Sequence, residues 1–431
     1  MTIYKFPSKD IWPQLLQRPA LDHSSLEEKI APILLEVRKR GDVALRKFTA
    51  EFDKADIEKI EVSEQEKYFA LNQVNTELFD AIKLAAENIT AFHRMQLQPA
   101  EKIETMPGIV CWRKNIGIEK VGLYIPGGTA PLFSTVLMLT IPAILAGCKE
   151  IIICTPPSAD GKIHPAIIVA AGYIGIKRIF KVGGVQAIAA MTFGTATIPK
   201  VNKIFGPGNQ YVTAAKQLVQ KYGVAIDMPA GPSEVAVFAD KTAMPAFVAA
   251  DLLSQAEHGA DSQVVLVTDH EPLIEQVQDE LKKQLEKLPR KEFAAKALEN
   301  SKTILVNNSA EAIALLNEYA PEHLILSCDE PARLAEEVIN AGSVFLGHYS
   351  PESVGDYASG TNHTLPTNGY AKTYSGVSVD SFVKKITFQY LSEEGLNNIA
   401  AAVEVMAEAE GLRAHAEAVR IRRQTANGKR Q

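Results

Sequence analysis

The stretch VGLYIPGGTAPLFSTVLMLTIPAILAGCKEIIICTP, residues 121–156, contains two short apolar runs separated by a longer apolar segment. VGLYI (121–125) is aliphatic and is followed by a glycine turn, which is typical of a buried strand. FSTVLMLTIPAILAG (133–147) has the length of a helix and ends at a glycine. EIIICTP (150–156) predicts a second strand. A strand, a helix and a strand in this order indicate a parallel α/β unit.

The same alternation extends in both directions along the chain. Strands are predicted at 178–183 and 203–206, and a second series follows at 234–240, 263–269, 303–308, 323–328 and 343–347. Two series predict two α/β domains with parallel-rich sheets. Residues 25–100 and those after 390 are helical in pattern, so we expect helical arms at the N- and C-termini.

The composition is that of an average soluble globular protein. Of 431 residues, 46% are apolar and 22% are charged, and the net charge is −6. These values exclude a disordered or collagen-like chain, and the acidic balance argues against a nucleic-acid partner. Four cysteines without a CxxC pair exclude a thiolate zinc site and favour a reduced, cytoplasmic setting. The most apolar stretch, 166–176, is shorter than the ~20 residues that cross a bilayer, so no membrane partner is expected.

Residues 347–378 interrupt the alternation. This segment of 32 residues contains five glycines and four tyrosines but few aliphatic residues. Long segments without periodicity are uncommon inside compact domains and are usually functional or disordered. The tyrosines and the low charge argue against disorder. We therefore expect an ordered active-site loop, and a purely structural loop is the alternative.

The sequence has no standard nucleotide-binding fingerprint. No G-x-G-x-x-G follows a predicted strand, and no G-x-x-x-x-G-K-[ST] occurs. Two other glycine turns, YIPGGTAP (124–131) and FGPGN (205–209), do lie between a strand and a helix. Backbone N–H groups at such helix starts can bind anions, and open α/β sheets bind ligands at the carboxyl ends of their strands. Each turn alone is weak evidence for a ligand.

Polar residues that could carry chemistry are spread over several segments. Gln255 and His258 are spaced i, i+3 and share one helix face. Glu322 and His323 lie at a strand entrance, where they would suit acid–base chemistry, although a capping or surface pair is the alternative. The 347–378 loop adds Asp356 and His363.

The C-terminal segment adds Glu410 and His415. These two residues are five apart, so they could serve one site only if Gly411 breaks the helix. If the glutamine, histidine and aspartate residues of these segments meet, Zn²⁺ or a similar divalent metal with N/O ligands is expected. Sequence spacing does not show whether they meet.

These segments, in this order, resemble the histidinol dehydrogenase family. The resemblance covers essentially the whole chain, and Thr129, where a serine is common, is a small departure. The matching segments are VGLYIPGGTAPLFSTVLM, KIFGPGN, AIDMPAGPSEV, DLLSQAEHG, YAPEHL, SPESVGDYASGTNHTLPT and EGLRAHAEAV.

The resemblance implies a zinc-dependent enzyme that oxidises L-histidinol to L-histidine through L-histidinaldehyde and reduces two NAD⁺, the last step of histidine biosynthesis. It implies site residues in four roles. The implied ligands of one Zn²⁺ per subunit are Gln255, His258, Asp356 and His415, and the implied proton-transfer residues are Glu322 and His323. The implied substrate contacts are Ser233, His363 and Glu410, together with His323 and the zinc ligands. The implied NAD contacts are Tyr124, Gln186 and Asn209.

The resemblance also implies a domain division and a homodimer. The first, zinc-binding α/β domain comprises 23–119 and 233–377, and 120–232 form the NAD-binding domain, both incomplete Rossmann-like folds. Residues 1–22 form an N-terminal arm, and 378–431 form a helical, dimerising tail. This tail reaches the site of the other subunit, so Glu410 and His415 act in trans.

The chemistry suggests a division of roles between the two proton-transfer residues. Neutral His323 suits removal of the hydroxyl proton, and Glu322 suits activation of the water that hydrates the aldehyde. Two alternatives stay open from the residues. One is another metal-assisted, NAD-dependent alcohol or aldehyde dehydrogenase on the same scaffold, and the other is a zinc-binding dimer without turnover.

Overall fold

The computed structural model describes residues 1–18, 23–127 and 131–428. Residues 128–130 of the first glycine turn, including Thr129, and 19–22 of the predicted N-terminal arm therefore lie outside the described residues. The chain divides into two compact units. The first comprises Met1–Gln96 and Ile118–Phe382, and the second comprises Leu97–Gly117 and Val383–Gln431.

Most described strands follow the predicted alternation with helices. The strands are β1 (Thr2–Lys5), β2 (Lys102–Met106), β3 (Ile109–Gly117), β4 (Lys120–Tyr124), β5 (Glu150–Thr155), β6 (Arg178–Lys181), β7 (Lys203–Phe205), β8 (Ala225–Ile226), β9 (Glu234–Ala239), β10 (Gln263–Thr268), β11 (Lys302–Leu305), β12 (His323–Ser327), β13 (Ser343–Leu346) and β14 (Val383–Leu391).

The described helices include none that is both long enough and apolar enough to cross a lipid bilayer. They are α1 (Trp12–Leu15), α2 (His23–Arg40), α3 (Asp42–Phe48), α4 (Glu64–Leu71), α5 (Thr76–Arg94), α6 (Phe133–Leu145), α7 (Pro165–Tyr173), α8 (Gly184–Phe193), α9 (Gln210–Val219), α10 (Pro245–Ala256), α11 (Glu271–Leu285), α12 (Lys291–Glu299), α13 (Ser309–Tyr319), α14 (Pro331–Ala335), α15 (Glu352–Tyr357), α16 (Glu393–Ala409) and α17 (Arg413–Gly428).

The first unit contains two parallel sheets. Within the described residues, the large sheet has the strand order β1-β11-β10-β9-β12-β13 and the small sheet has the order β6-β5-β4-β7-β8. Neighbouring strands of both sheets pair in parallel. The predicted α/β fold with parallel-rich sheets is therefore confirmed. Buried parallel strands carry near-continuous apolar runs, which is why the sequence pattern located them.

Helices cover both faces of each sheet. On one face of the small sheet, Leu34 of α2 and Leu45 of α3 share a core with Ile152 of β5 and Phe180 of β6. Helices α5, α6 and α7 contribute to the core on the other face. The domain boundaries predicted from the sequence stay a prediction, and for α2 and α3 these contacts favour the small sheet as the neighbour.

The second unit is built on an antiparallel sheet. Strand β3 lies between β2 and β14, and helices α16 and α17 pack against each other. The predicted C-terminal arm is therefore not purely helical, since it includes β14. The N-terminal arm likewise includes β1, which pairs with β11 at the edge of the large sheet. Both strands are largely exposed, so they lack the apolar runs that identify buried strands.

Candidate active site

The predicted acid–base pair lies at the amino ends of two adjacent strands of the large sheet. His323 is the first residue of β12 and pairs in register with Val235 of β9. Helix α13 ends just before it, and Ala320 adopts a left-handed conformation with φ of 52°. This turn places Glu322 at the amino end of β12, directly before His323, and both side chains are buried.

The main chain of Glu234 holds this pair. Its N–H donates to Glu322 Oε2 at 2.9 Å, and its carbonyl oxygen lies 3.2 Å from His323 Nδ1. Because a carbonyl oxygen only accepts, Nδ1 carries the hydrogen of this bond. The other ring nitrogen, Nε2, lies 3.4 Å from Asp356 Oδ1, and Glu322 Oε2 lies 3.7 Å from Nδ1. Glu322, His323 and Asp356 therefore meet in one site.

The Glu234 carboxylate is itself fixed by buried contacts. The Arg18 guanidinium donates to its two oxygens at 2.5 and 2.8 Å and to the carbonyl oxygen of Tyr319 at 2.7 Å. The backbone N–H of Asn368, from the predicted active-site loop, donates to the same carboxylate at 2.8 Å. Residues from four distant segments thus fix the amino ends of β9 and β12, where Glu322 and His323 lie.

Burial and clustered carboxylates shift the proton affinities of the site. Burial raises the pKa of Glu322 to about 8. Burial alone would lower the pKa of His323, but the carboxylates of Glu352, Glu322 and Asp356 outweigh it and raise the pKa to about 10. Without a bound cation these carboxylates therefore favour the protonated form of His323. The sequence interpretation assumed a neutral imidazole, because it could not foresee three carboxylates around one ring.

Three side chains at this site can offer ligand atoms to one cation. Ligand atoms of His258, Glu352 and Asp356 all lie within 4.8 Å of one another. In the described part of the chain, Asp356 Oδ1 and His323 Nε2 are buried and have no hydrogen-bond partner. Buried polar atoms without partners are costly, and an oxygen- and nitrogen-rich donor set suits Zn²⁺. The residues present therefore fit a divalent metal.

Glu352 is a residue that the sequence analysis missed. It is almost fully buried and lies in the first turn of α15, one helical turn before Asp356. The i, i+4 spacing of these two carboxylates on one helix face could have identified it.

Gln255, at the end of α10, faces Glu352. A metal ion at the His258 and Asp356 donors would be met by the amide oxygen of Gln255. Without such an ion, hydrogen bonding favours the amide nitrogen facing Glu352 Oε2, at 3.1 Å. The amide oxygen then lies on the opposite side, 3.3 Å from the backbone N–H of Glu234.

Two predicted substrate contacts lie beside the acid–base pair. Ser233, which directly precedes β9, and His363 line a cavity of about 90 Å³ together with Glu322. His363 Nδ1 donates to the carbonyl oxygen of Asp356 at 2.8 Å, and Nε2 lies 3.0 Å from Thr135 Oγ1. The structure therefore brings these residues together with the predicted metal donors.

Glu410 and His415 belong to the second unit. Glu410 caps the C-terminus of α16, Gly411 has a positive φ of 75°, and His415 lies in the first turn of α17. The helix break that the sequence analysis required at Gly411 is present. Their participation in a site stays a prediction.

The predicted cofactor contacts line a cavity of about 980 Å³ at the carboxyl end of the small sheet. Tyr124 ends β4, and its hydroxyl accepts a hydrogen bond from the Gly184 N–H at 3.1 Å. Gln186 lies in the first turn of α8, and Asn209 caps α9. A smaller cavity of about 230 Å³ is lined by Asn209 and also by His258, so residues that follow elements of both sheets line it together.

Comparisons with known proteins identify the family of the chain. Residues 16–423 match the family model described as histidinol dehydrogenase. A histidinol dehydrogenase of Bacteroides thetaiotaomicron is 59% identical over 425 residues, covering 99% of both proteins. One of Xanthomonas campestris is 52% identical over 411 residues, covering 95% of both. The crystal structure of histidinol dehydrogenase from Elizabethkingia anophelis has a TM-score of 0.97 and 55% identity, covering 99% of both chains. The chain therefore belongs to the histidinol dehydrogenase family of oxidoreductases.

Proposed function

We propose that this enzyme oxidises L-histidinol to L-histidine through L-histidinaldehyde, with zinc and two NAD⁺, as the last step of histidine biosynthesis. The observation that carries the proposal is the meeting of an acid–base pair with metal-donor side chains in one site. That site borders the cavity lined by Asn209. An alcohol oxidation needs these parts within reach of one substrate.

Gln255, His258 and Asp356 would hold the zinc ion, with His415 as the fourth protein ligand. Zinc, when bound, supplies positive charge that orients the nitrogen donors of the substrate. The buried Oδ1 of Asp356 has no hydrogen-bond partner among the described residues, which supports this assignment. Ser233, His363 and Glu410 would contact the substrate around it.

His323 takes the proton of the substrate hydroxyl in the first oxidation. Its Nδ1–H bond to the Glu234 carbonyl oxygen leaves Nε2 as the basic nitrogen. A base must be neutral, and a divalent cation among the surrounding carboxylates opposes their charge and so favours the neutral imidazole. In the second oxidation the same nitrogen takes a proton from the hydrated aldehyde.

Glu322 activates the water that hydrates the aldehyde. Its burial raises the pKa to about 8, which matches a group that exchanges a proton near neutral pH. The backbone N–H of Glu234 fixes one carboxylate oxygen at 2.9 Å, so the carboxyl group keeps one orientation through both proton transfers. Burial of this pair also excludes bulk water from a reactive aldehyde.

Tyr124, Gln186 and Asn209 would contact NAD⁺ in the large cavity. NAD⁺, when bound, supplies the hydride acceptor. Asn209 lines both this cavity and the one beside His258, which supports a cofactor that extends from the small sheet toward the metal donors.

We further propose a homodimer in which Glu410 and His415 complete the site of the partner subunit. Their location in the second unit, on either side of the break at Gly411, supports a C-terminal tail that carries ligand side chains. The cytoplasmic location stays a prediction.

The experiment is the molar ratio of NADH formed to L-histidinol consumed, measured with and without a chelator. A ratio near two that the chelator abolishes is the expected result. A ratio of one would replace the proposal with another NAD-dependent alcohol dehydrogenase. No NADH would indicate a zinc-binding dimer without turnover.

A further inference from the structure

The small sheet has the order 3-2-1-4-5, five of the six strands of the Rossmann fold, but it lacks the acidic residue that this fold uses to bind ribose. Its first strand, β4, is central, with β5 and β6 on one side and β7 and β8 on the other. In dinucleotide-binding sheets, an acidic residue about 20 residues after the glycine turn receives the ribose 2′-hydroxyl of NAD. Here β5 ends at Thr155 and is followed by Pro156, Pro157 and Ser158, and these four residues line the large cavity without a carboxylate.

A carboxylate does reach this cavity, from outside the sheet. Asp53 ends a single π-helical turn, Thr49–Asp53, which follows α3. Its side chain lines the same cavity as Thr155–Ser158, and Oδ2 lies 3.5 Å from Gln186 Nε2, a predicted NAD contact. Asp53 is half-buried, and in the described residues it forms no ion pair.

We propose that Asp53 receives the ribose hydroxyls of the adenosine half of NAD⁺ and thereby excludes NADP⁺. This inference rests on the proposed use of NAD⁺. A carboxylate accepts hydrogen bonds from a 2′-hydroxyl but repels the 2′-phosphate that replaces it in NADP⁺.

The remaining charges of the cavity support the second part of the proposal. Burial raises the pKa of Asp53 to about 6, so the carboxylate is still mostly ionised at neutral pH. Of the described residues that line the cavity, Lys29 alone is a lysine or arginine. Removing the Asp53 charge would therefore leave a cavity wall with positive charge, which would tolerate a phosphate.

The test compares kcat/KM for NAD⁺ and NADP⁺ in the zinc-loaded wild-type enzyme and in two variants, Asp53→Asn and Asp53→Ser. We expect the preference of the wild type for NAD⁺ to fall by about 10- to 100-fold, because a site built to hydrogen-bond a hydroxyl discriminates strongly. The loss should come from KM, with kcat at saturating NAD⁺ nearly unchanged. Glu51→Gln is the matched control, since Glu51 is exposed on the same turn and does not line the cavity.

The outcomes separate this inference from the proposed function. A wild type that reduces neither cofactor would contradict the proposed function itself. A wild type that reduces NAD⁺, with variants that keep its preference within twofold, would overturn the role of Asp53. The ratio of kcat/KM for NAD⁺ to kcat/KM for NADP⁺ is measured on one protein preparation. Misfolded protein lowers both values equally and therefore does not change this ratio.

A competition experiment on the wild type needs no variant. Adenosine 5′-diphosphate should inhibit at least tenfold better than adenosine 2′,5′-bisphosphate, and equal inhibition would also overturn the proposal.

Discussion

Glu322→Gln should separate the two oxidations. Glutamine has the same shape, and its amide oxygen can still accept the Glu234 N–H bond at 2.9 Å, so the strand entrance should keep its geometry. What the change removes is the proton-accepting carboxylate. A positioned general base contributes about 10²- to 10⁴-fold to a rate, or about 3–5 kcal/mol of barrier. Oxidation of the aldehyde should slow by that factor.

Oxidation of the alcohol should slow by less than about tenfold, because His323 and its bond to the Glu234 carbonyl oxygen are untouched. The assay is rapid-mixing measurement of NADH formation, once from L-histidinol and once from L-histidinaldehyde supplied directly. With L-histidinol, the variant should show a first NADH burst followed by a slow second phase.

Glu318→Gln is the matched control. Glu318 lies on α13 four residues before Glu322, but it is exposed and pairs with Lys372 on the surface. This variant should leave both rates unchanged. Equal slowing of the two oxidations by Glu322→Gln would refute the division of roles argued above, because one residue would then serve both steps alike.

The remaining predictions concern the metal and the support of the site. Asp356→Asn should weaken zinc binding by more than about 100-fold, whereas Glu352→Gln should weaken it by about 10- to 100-fold, since supporting residues cost less than ligands. Chelator competition gives both values, and the reverse order would make Glu352 the stronger ligand. Arg18→Ala should lower the free energy of unfolding by about 3–5 kcal/mol, because it leaves the buried Glu234 carboxylate unpaired. Denaturant titration measures this loss, which Glu234→Gln in the same chain should largely restore; a double variant as unstable as Arg18→Ala would contradict the explanation.

The sequence pattern located the strands that are buried on both faces. β5 and β9 are near-continuous apolar runs because helices cover both sides of a parallel sheet. β1 and β14 escaped prediction because most of their side chains are exposed. Exposed strands carry polar residues that resemble those of loops, so their pairing partners must be known before they can be identified.

The candidate site was predictable only in part, for a different reason. Gln255 and His258 share a helix face, but their meeting with Asp356 depends on contacts across about 100 residues. The resemblance to a known family supplied that information, and the residues alone did not. Arg18 and Glu234 are 216 positions apart, and nothing in their local sequence indicates a pair. Such long-range polar contacts follow from the fold and cannot be read from periodicity.

The edge strand β1 has a consequence for the order of events during synthesis. Thr2–Lys5 pair with Lys302–Leu305, so β1 leaves the ribosome long before its partner strand, which lies almost 300 residues later in the chain. At 5–20 residues per second this delay is about 15–60 s. The small sheet, formed within residues 120–226, can assemble in the meantime. The nascent chain should therefore form the large cavity of the small sheet before Glu322 and His323 gain the support of Arg18.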